Sequence, residues 1–71
     1  MQLSKTQRQA LSEIDWRGPD VTFLTKSTYV KTLVALARRG LITAELADQG
    51  RVWKCNITSE GLYVLREAME G

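Results

Sequence analysis

Between Val21 and Ala44 the chain carries Lys26, Lys31, Arg38 and Arg39 and no acidic residue. Ser27, Thr28 and Thr32 are interleaved with these cations. Ammonium and guanidinium groups beside small hydroxyls are donors suited to anionic oxygens. At about 100° per residue, Thr28, Lys31, Thr32, Ala35, Arg38 and Arg39 share one arc of a helix. Tyr29, Val30, Leu33, Val34, Leu36 and Ala37 fill the opposite arc, roughly 160° wide, which must be buried. A one-signed polar face attracts a polyanion such as nucleic acid. The plainer reading of the same face is a solvated helix surface that keeps the protein soluble.

Other chemistries lack their parts. The chain has no histidine and a single cysteine, Cys55. A Ser-His or Cys-His nucleophile, a disulfide framework and a structural zinc site therefore have no residues to build them. Cys55 alternates with Trp53 and Ile57 and reads as a small buried hydrophobe. Asp48, Glu60, Glu67 and Glu70 read as solvated acids rather than a carboxylate pair. Asn56-Ile57-Thr58 matches a glycosylation acceptor, which has no use in a protein that is not secreted. No enzyme activity, cofactor or metal is expected.

The charge is unevenly spread. Residues 1–40 hold seven basic and three acidic residues, a net of +4; residues 41–71 hold three basic and five acidic, a net of −2. The total of 71 residues, 44% hydrophobic and 25% charged, suits one small globular domain over 1–71. No run approaches the roughly 20 apolar residues of a membrane span. Met1-Gln2-Leu3-Ser4-Lys5 runs straight into a polar helix pattern, so no signal peptide is expected. The implied compartment is the reducing cytoplasm.

Four segments must position the basic face. A first helix should start at Ser4, whose spacing to Gln7 is that of a capping box. It should bury Ala10, Leu11 and Ile14 and end near Asp15 or Trp16, before Gly18-Pro19. Val21-Thr22-Phe23-Leu24-Thr25 fits either a strand or one helical turn. The basic helix should run over 27–39, capped by Ser27 and stopped by Gly40. Residues 41–46 and 51–57 alternate as two strands of a hairpin, with Asp48-Gln49-Gly50 in the turn. Thr58 should cap a last helix with Leu62, Leu65 and Met69 as its central stripe and Gly61, Val64 and Ala68 beside it. Tyr29 and Trp53 read as core. Trp16 reads equally as packed under the first helix or as part of a dimer contact.

In that order, two stretches resemble the winged helix-turn-helix DNA-binding domains, and among them the MarR-type transcriptional regulators. One is Ser27-Thr28-Tyr29-Val30-Lys31-Thr32-Leu33-Val34-Ala35-Leu36-Ala37-Arg38-Arg39-Gly40-Leu41-Ile42, similar to that family's recognition helix. The other is Arg51 and, beyond it, Ile57-Thr58-Ser59-Glu60-Gly61. It is similar to the wing arginine and the Leu-Thr-x-x-Gly start of the next helix. The resemblance covers roughly residues 26–66. It implies an α+β fold of three helices, a short or truncated second element where the family has a full helix, and a two-stranded β-hairpin wing.

The resemblance also implies a function. Helix 27–39 would enter the major groove and the 47–52 wing would meet the adjacent backbone or minor groove. Thr28, Lys31, Thr32 and Ala35 would face base edges. Lys26 and Ser27 would hold phosphate at the helix start. Arg38 and Arg39 would contact backbone or only complement the helix dipole. Arg51 would probe the minor groove, with Gln49 a weaker partner and Lys54 reaching a phosphate. The expected protein is a small cytoplasmic transcriptional regulator on double-stranded DNA, most simply a repressor of phage or mobile-element type. It is expected to act as a homodimer, using a surface other than the family's long terminal helices. The other reading is an adaptor or inhibitor that docks protein partners and leaves DNA alone.

Overall fold

The computed structural model describes residues 3–70, the last two by their backbone alone, so the side chain of Met69 lies outside the described residues. The element order is α1 (Lys5–Arg17), β1 (Val21–Leu24), α2 (Val30–Arg38), β2 (Ile42–Ala47), β3 (Val52–Ile57) and α3 (Ser59–Glu70). The fold class is α+β, with three helices and one antiparallel sheet.

The capping box of α1 forms as expected. Ser4 Oγ accepts from the Gln7 amide at 3.1 Å, and Gln7 Oε1 accepts from the Ser4 amide at 3.0 Å. Ala10, Leu11 and Ile14 are fully buried, Ile14 one helical turn beyond the adjacent pair. The helix continues to Arg17, slightly beyond the expected end, and the Gly18 amide closes it on the Ile14 carbonyl.

The ambiguous segment after Gly18-Pro19 is a strand. Val21 and Phe23 are buried while Thr22 and Leu24 are exposed, the period-two pattern of a half-buried strand. β1 pairs with β3, and the sheet order is β1-β3-β2. The sheet therefore has three strands, the two of the expected hairpin and β1. β2 and β3 do form the hairpin, with Ala47 opposite Val52 at its end. β1 accompanies β3 as far, because Leu24 also stands opposite Val52. The loop end of the hairpin, residues 52–55 of β3, is thus buttressed by β1 rather than projecting as a two-stranded ribbon.

The start of α2 also differs from expectation. Ser27 does not cap the helix: its Oγ accepts from the Tyr29 amide at 3.1 Å, and the Ser27 carbonyl accepts from the Val30 amide at 3.3 Å. A serine bonding two residues ahead makes a tight turn of its own. Helix geometry begins only at Val30, with Tyr29 at the cap position and no side-chain cap. Residues 25–29 thus hold two turns, and no helix precedes α2 there.

The end of α2 follows the sequence closely. Gly40 takes φ +76°, its amide donates to the Ala37 carbonyl at 3.0 Å, and the Leu41 amide donates to the Leu36 carbonyl at 3.0 Å. This is the Schellman arrangement, and its accompanying hydrophobic pair is Leu36 with Leu41, both fully buried.

One sheet face, carrying Val21, Phe23, Ile42, Ala44, Trp53, Cys55 and Ile57, belongs to the core cluster with α1, α2 and α3. Tyr29 and Trp53 are half-buried against this core, and the Phe23 and Tyr29 rings meet at 5.9 Å. On α3, Leu65 is buried, with Leu62, Val64 and Ala68 half-buried. Gly61 is required where α3 crosses the end of α2. A Cβ there would overlap the Leu41 carbonyl oxygen and meet Ile57 Cγ1 at 2.8 Å. Thr58 locks the same corner: its hydroxyl accepts from the Gly61 amide at 3.0 Å and donates to the Gly40 carbonyl at 2.7 Å.

Candidate nucleic-acid interface

The segment that supplies the expected anion contacts is held by β1. After Leu24 the chain turns, and the Ser27 amide returns to the Leu24 carbonyl at 2.9 Å. The Thr25 amide donates to the Arg51 carbonyl at 2.9 Å. The Thr25 hydroxyl lies 3.1 Å from both the Gly50 and the Arg51 carbonyl oxygens. The entrance to α2 is thereby fastened to the hairpin loop. Leu24, Thr25, Lys26, Gly50 and Arg51 line one open concavity of about 410 Å³.

The loop itself is a left-handed run. Asp48, Gln49 and Gly50 have φ of +52°, +56° and +84°. The Gly50 amide bonds to the Ala47 carbonyl and the Arg51 amide to the Asp48 carbonyl, each at 3.1 Å. Aspartate tolerates this conformation better than most residues, and glycine takes it without steric cost. Gln49 and Arg51 are exposed on the loop.

On α2, Lys31 and Arg38 are exposed, and Thr28 is exposed in the turn before it. Thr32 and Ala35 are half-buried, so they form the shoulder of the face rather than its crest. The crest includes a residue assigned to the buried arc from the sequence: Val34 is 38% exposed. It lies three residues after Lys31 and four before Arg38, which places the three on one ridge. Leu33 and Leu36 of the hydrophobic arc are buried, whereas Val34, at one end of that arc, is left exposed. Arg38 also borders a groove between α2 and the hairpin, together with Leu33, Val34, Ala37, Ala44 and Trp53. Arg39 is exposed at the C-cap, where its amide donates to the Ala35 carbonyl at 3.3 Å.

Lys54 is placed elsewhere. The register aligns it with Thr22 and Glu45, on the sheet face turned away from the core and α2. Its ammonium is 3.1 Å from Glu45 Oε1. That hydrogen bond, then the Glu45 charge and then Asp20, raise the Lys54 pKa above its ordinary value. Its charge is already answered within the protein. By contrast, among the described residues no acidic side chain makes an ion pair with Lys26, Lys31, Arg38 or Arg51.

Asn56 takes up the one sequence pattern left over. Its Nδ2 donates to Asp20 Oδ1 at 3.0 Å, and its Oδ1 accepts from the Asp20 amide at 2.8 Å. The side chain thus holds Asp20, with φ +57°, at the head of β1. Cys55 is fully buried, and burial pushes its thiol pKa up. Trp16 is 85% exposed, so it does not pack beneath α1.

Neither the family models, nor the curated proteins, nor the solved structures with which the chain was compared match it. Among the described residues, no group of three or more His, Cys, Asp or Glu side chains is gathered for a metal ion. No helix among them is long and apolar enough to cross a membrane.

Proposed function

We propose that this protein is a small double-stranded-DNA-binding domain of winged helix-turn-helix type, resembling the MarR-type regulators. It inserts the Lys31–Val34–Arg38 ridge of α2 into the major groove and lays the 48–51 loop on the neighbouring backbone or minor groove. The simplest role is a sequence-specific transcriptional regulator acting in the cytoplasm as a homodimer. One such module makes few phosphate contacts, and pairing doubles them.

The observation that carries this reading is the tie between Thr25 and the hairpin loop. It brings Lys26, at the entrance to α2, and Arg51, on the loop, to the rim of one concavity. Two cations from separate segments, without acidic partners among the described residues, suit successive phosphates of one strand. Lys31 can donate to guanine acceptors, and Val34 and Ala35 can meet a thymine methyl.

The test is fluorescence anisotropy of a labelled mixed-sequence duplex at several salt concentrations. Micromolar binding that weakens steeply with salt supports the reading. Folded protein that leaves the duplex free at low salt refutes it.

One observation favours protein docking instead. Trp16 stands 85% exposed beside an open groove lined by Arg8, Gln9, Ser12, Glu13, Tyr29 and Leu65. An exposed tryptophan over such a groove is a typical anchor of a protein interface. In the DNA-binding reading this surface serves the dimer. In the docking reading it serves a different protein, and Trp16→Ala abolishes function while Lys31→Glu leaves it intact.

A further inference from the structure

We propose that Leu24 is an apolar wedge for the minor groove of duplex DNA, and that the protein bends its binding site at the step where Leu24 enters. The inference rests on the DNA-binding reading above and goes further by naming a residue, a groove and a deformation.

Leu24 ends β1 and is 66% exposed on the outer sheet face. A single exposed leucine is ordinary, but this one has a particular setting. It shares a concavity with Lys26 and Arg51, neither of which has an acidic partner among the described residues. It stands in a row with the half-buried Val52 and Ala47, its cross-strand neighbours, so its base is apolar and supported.

The wedge is also held in place. The Leu24 carbonyl accepts from the Ser27 amide, and the next residue, Thr25, is bonded to the hairpin loop by amide and hydroxyl. Beside it, Gly50 presents bare backbone: a Cβ there would have nothing within 4 Å. A groove wall can therefore come close to the loop.

A leucine that shares a concavity with two cations matches the chemistry of a bent minor groove. An inserted apolar side chain partly unstacks a base step and kinks the duplex, while the cations beside it hold neighbouring phosphates. Pyrimidine–purine steps such as TA deform most readily, so the wedge would favour them without a hydrogen bond to any base. An acidic peptide could meet the same cations, but it would leave duplex geometry unchanged.

The experiment uses the full chain and a short duplex with a central TA step. 2-Aminopurine beside the step reports unstacking, and a donor–acceptor pair on the duplex ends reports bending. The wild-type protein is expected to raise 2-aminopurine emission and shorten the end-to-end distance. Leu24→Ala should bind about tenfold more weakly, the cost of one lost leucine burial. It should lose both signals yet keep the salt slope, because the cations remain. Leu24→Met should retain both signals. Because Leu24 is exposed, these variants should keep the circular dichroism and melting temperature of the wild type.

Wild-type binding with neither signal, or Leu24→Ala binding and bending like wild type, overturns the wedge and leaves the DNA-binding reading standing. Wild-type protein that does not bind the duplex at low salt overturns both.

Discussion

Thr25 and Arg51, 26 residues apart, are joined twice: the Thr25 amide and the Thr25 hydroxyl both donate to the Arg51 carbonyl, at 2.9 and 3.1 Å. The pair fixes where the entrance to α2 lies relative to the hairpin loop, and so holds together the two segments that carry Lys26 and Arg51. Thr25→Val keeps the shape and the backbone bond but removes the hydroxyl. Denaturant unfolding should show a loss of about 1 kcal/mol, the worth of one side-chain hydrogen bond. DNA binding should weaken with the salt slope unchanged. A variant equal to wild type in both measurements would show that the hydroxyl does not brace the loop.

Gly61 sits against the Leu41 carbonyl with no room for a methyl group. Gly61→Ala would normally favour a helix. Here it should destabilise by about 1–3 kcal/mol, because α3 must shift away from the end of α2. A thermal melt that rises instead would mean that α3 does not approach Leu41 this closely.

Lys31 and Arg51 should fail in different ways. Lys31→Ala should change the preference at one base step by about 1–3 kcal/mol if it reads guanine. Arg51→Ala should weaken all sequences alike and lower the salt slope by about one. Binding to a panel of duplexes across a salt series separates the two. A uniform loss for Lys31→Ala would assign that residue to phosphate.

Burial raises the pKa of the Cys55 thiol. The folded state therefore favours the protonated thiol, and the unfolded state releases its proton first as pH rises. The resulting stability is fully present below the ordinary value of 9.0 and is lost progressively above it. Denaturation midpoints should fall from about pH 9 upward, and less so in Cys55→Ala relative to its own stability at neutral pH. At pH 8 a thiol reagent should label Cys55 only as fast as the protein opens. Immediate labelling of folded protein would contradict the burial.

Features specified within a few residues were legible from the chain. The Ser4–Gln7 box joins residues three apart, as does the Thr58–Gly61 cap, and Gly40 closes α2 through bonds to Ala37 and, from Leu41, to Leu36. Such bonds need only the right residue types at fixed spacing, and α1, the end of α2 and the start of α3 followed. Alternation likewise marked β2 and β3, because a strand with one buried face repeats every two residues. Even so, Ser27 does not cap α2: its hydroxyl takes the Tyr29 amide in a tight turn and helix geometry starts only at Val30.

What depended on distant partners could be settled only in three dimensions. Val21–Leu24 fits a turn or a strand by itself, and its pairing with Val52–Cys55 makes it a strand. Val34 and Leu33 are equally apolar in sequence, yet only Leu33 has neighbours to bury it, while Val34 joins the exposed ridge with Lys31 and Arg38. Lys54 resembles the other cations until the register sets Glu45 across from it. The chain by itself determined the α+β class and which residues carry the positive charge. The tertiary structure decided that Lys26, Arg51 and Leu24 share one concavity. Residue type and local spacing act over one or two turns, whereas strand register acts across the whole chain and decides which side chains meet.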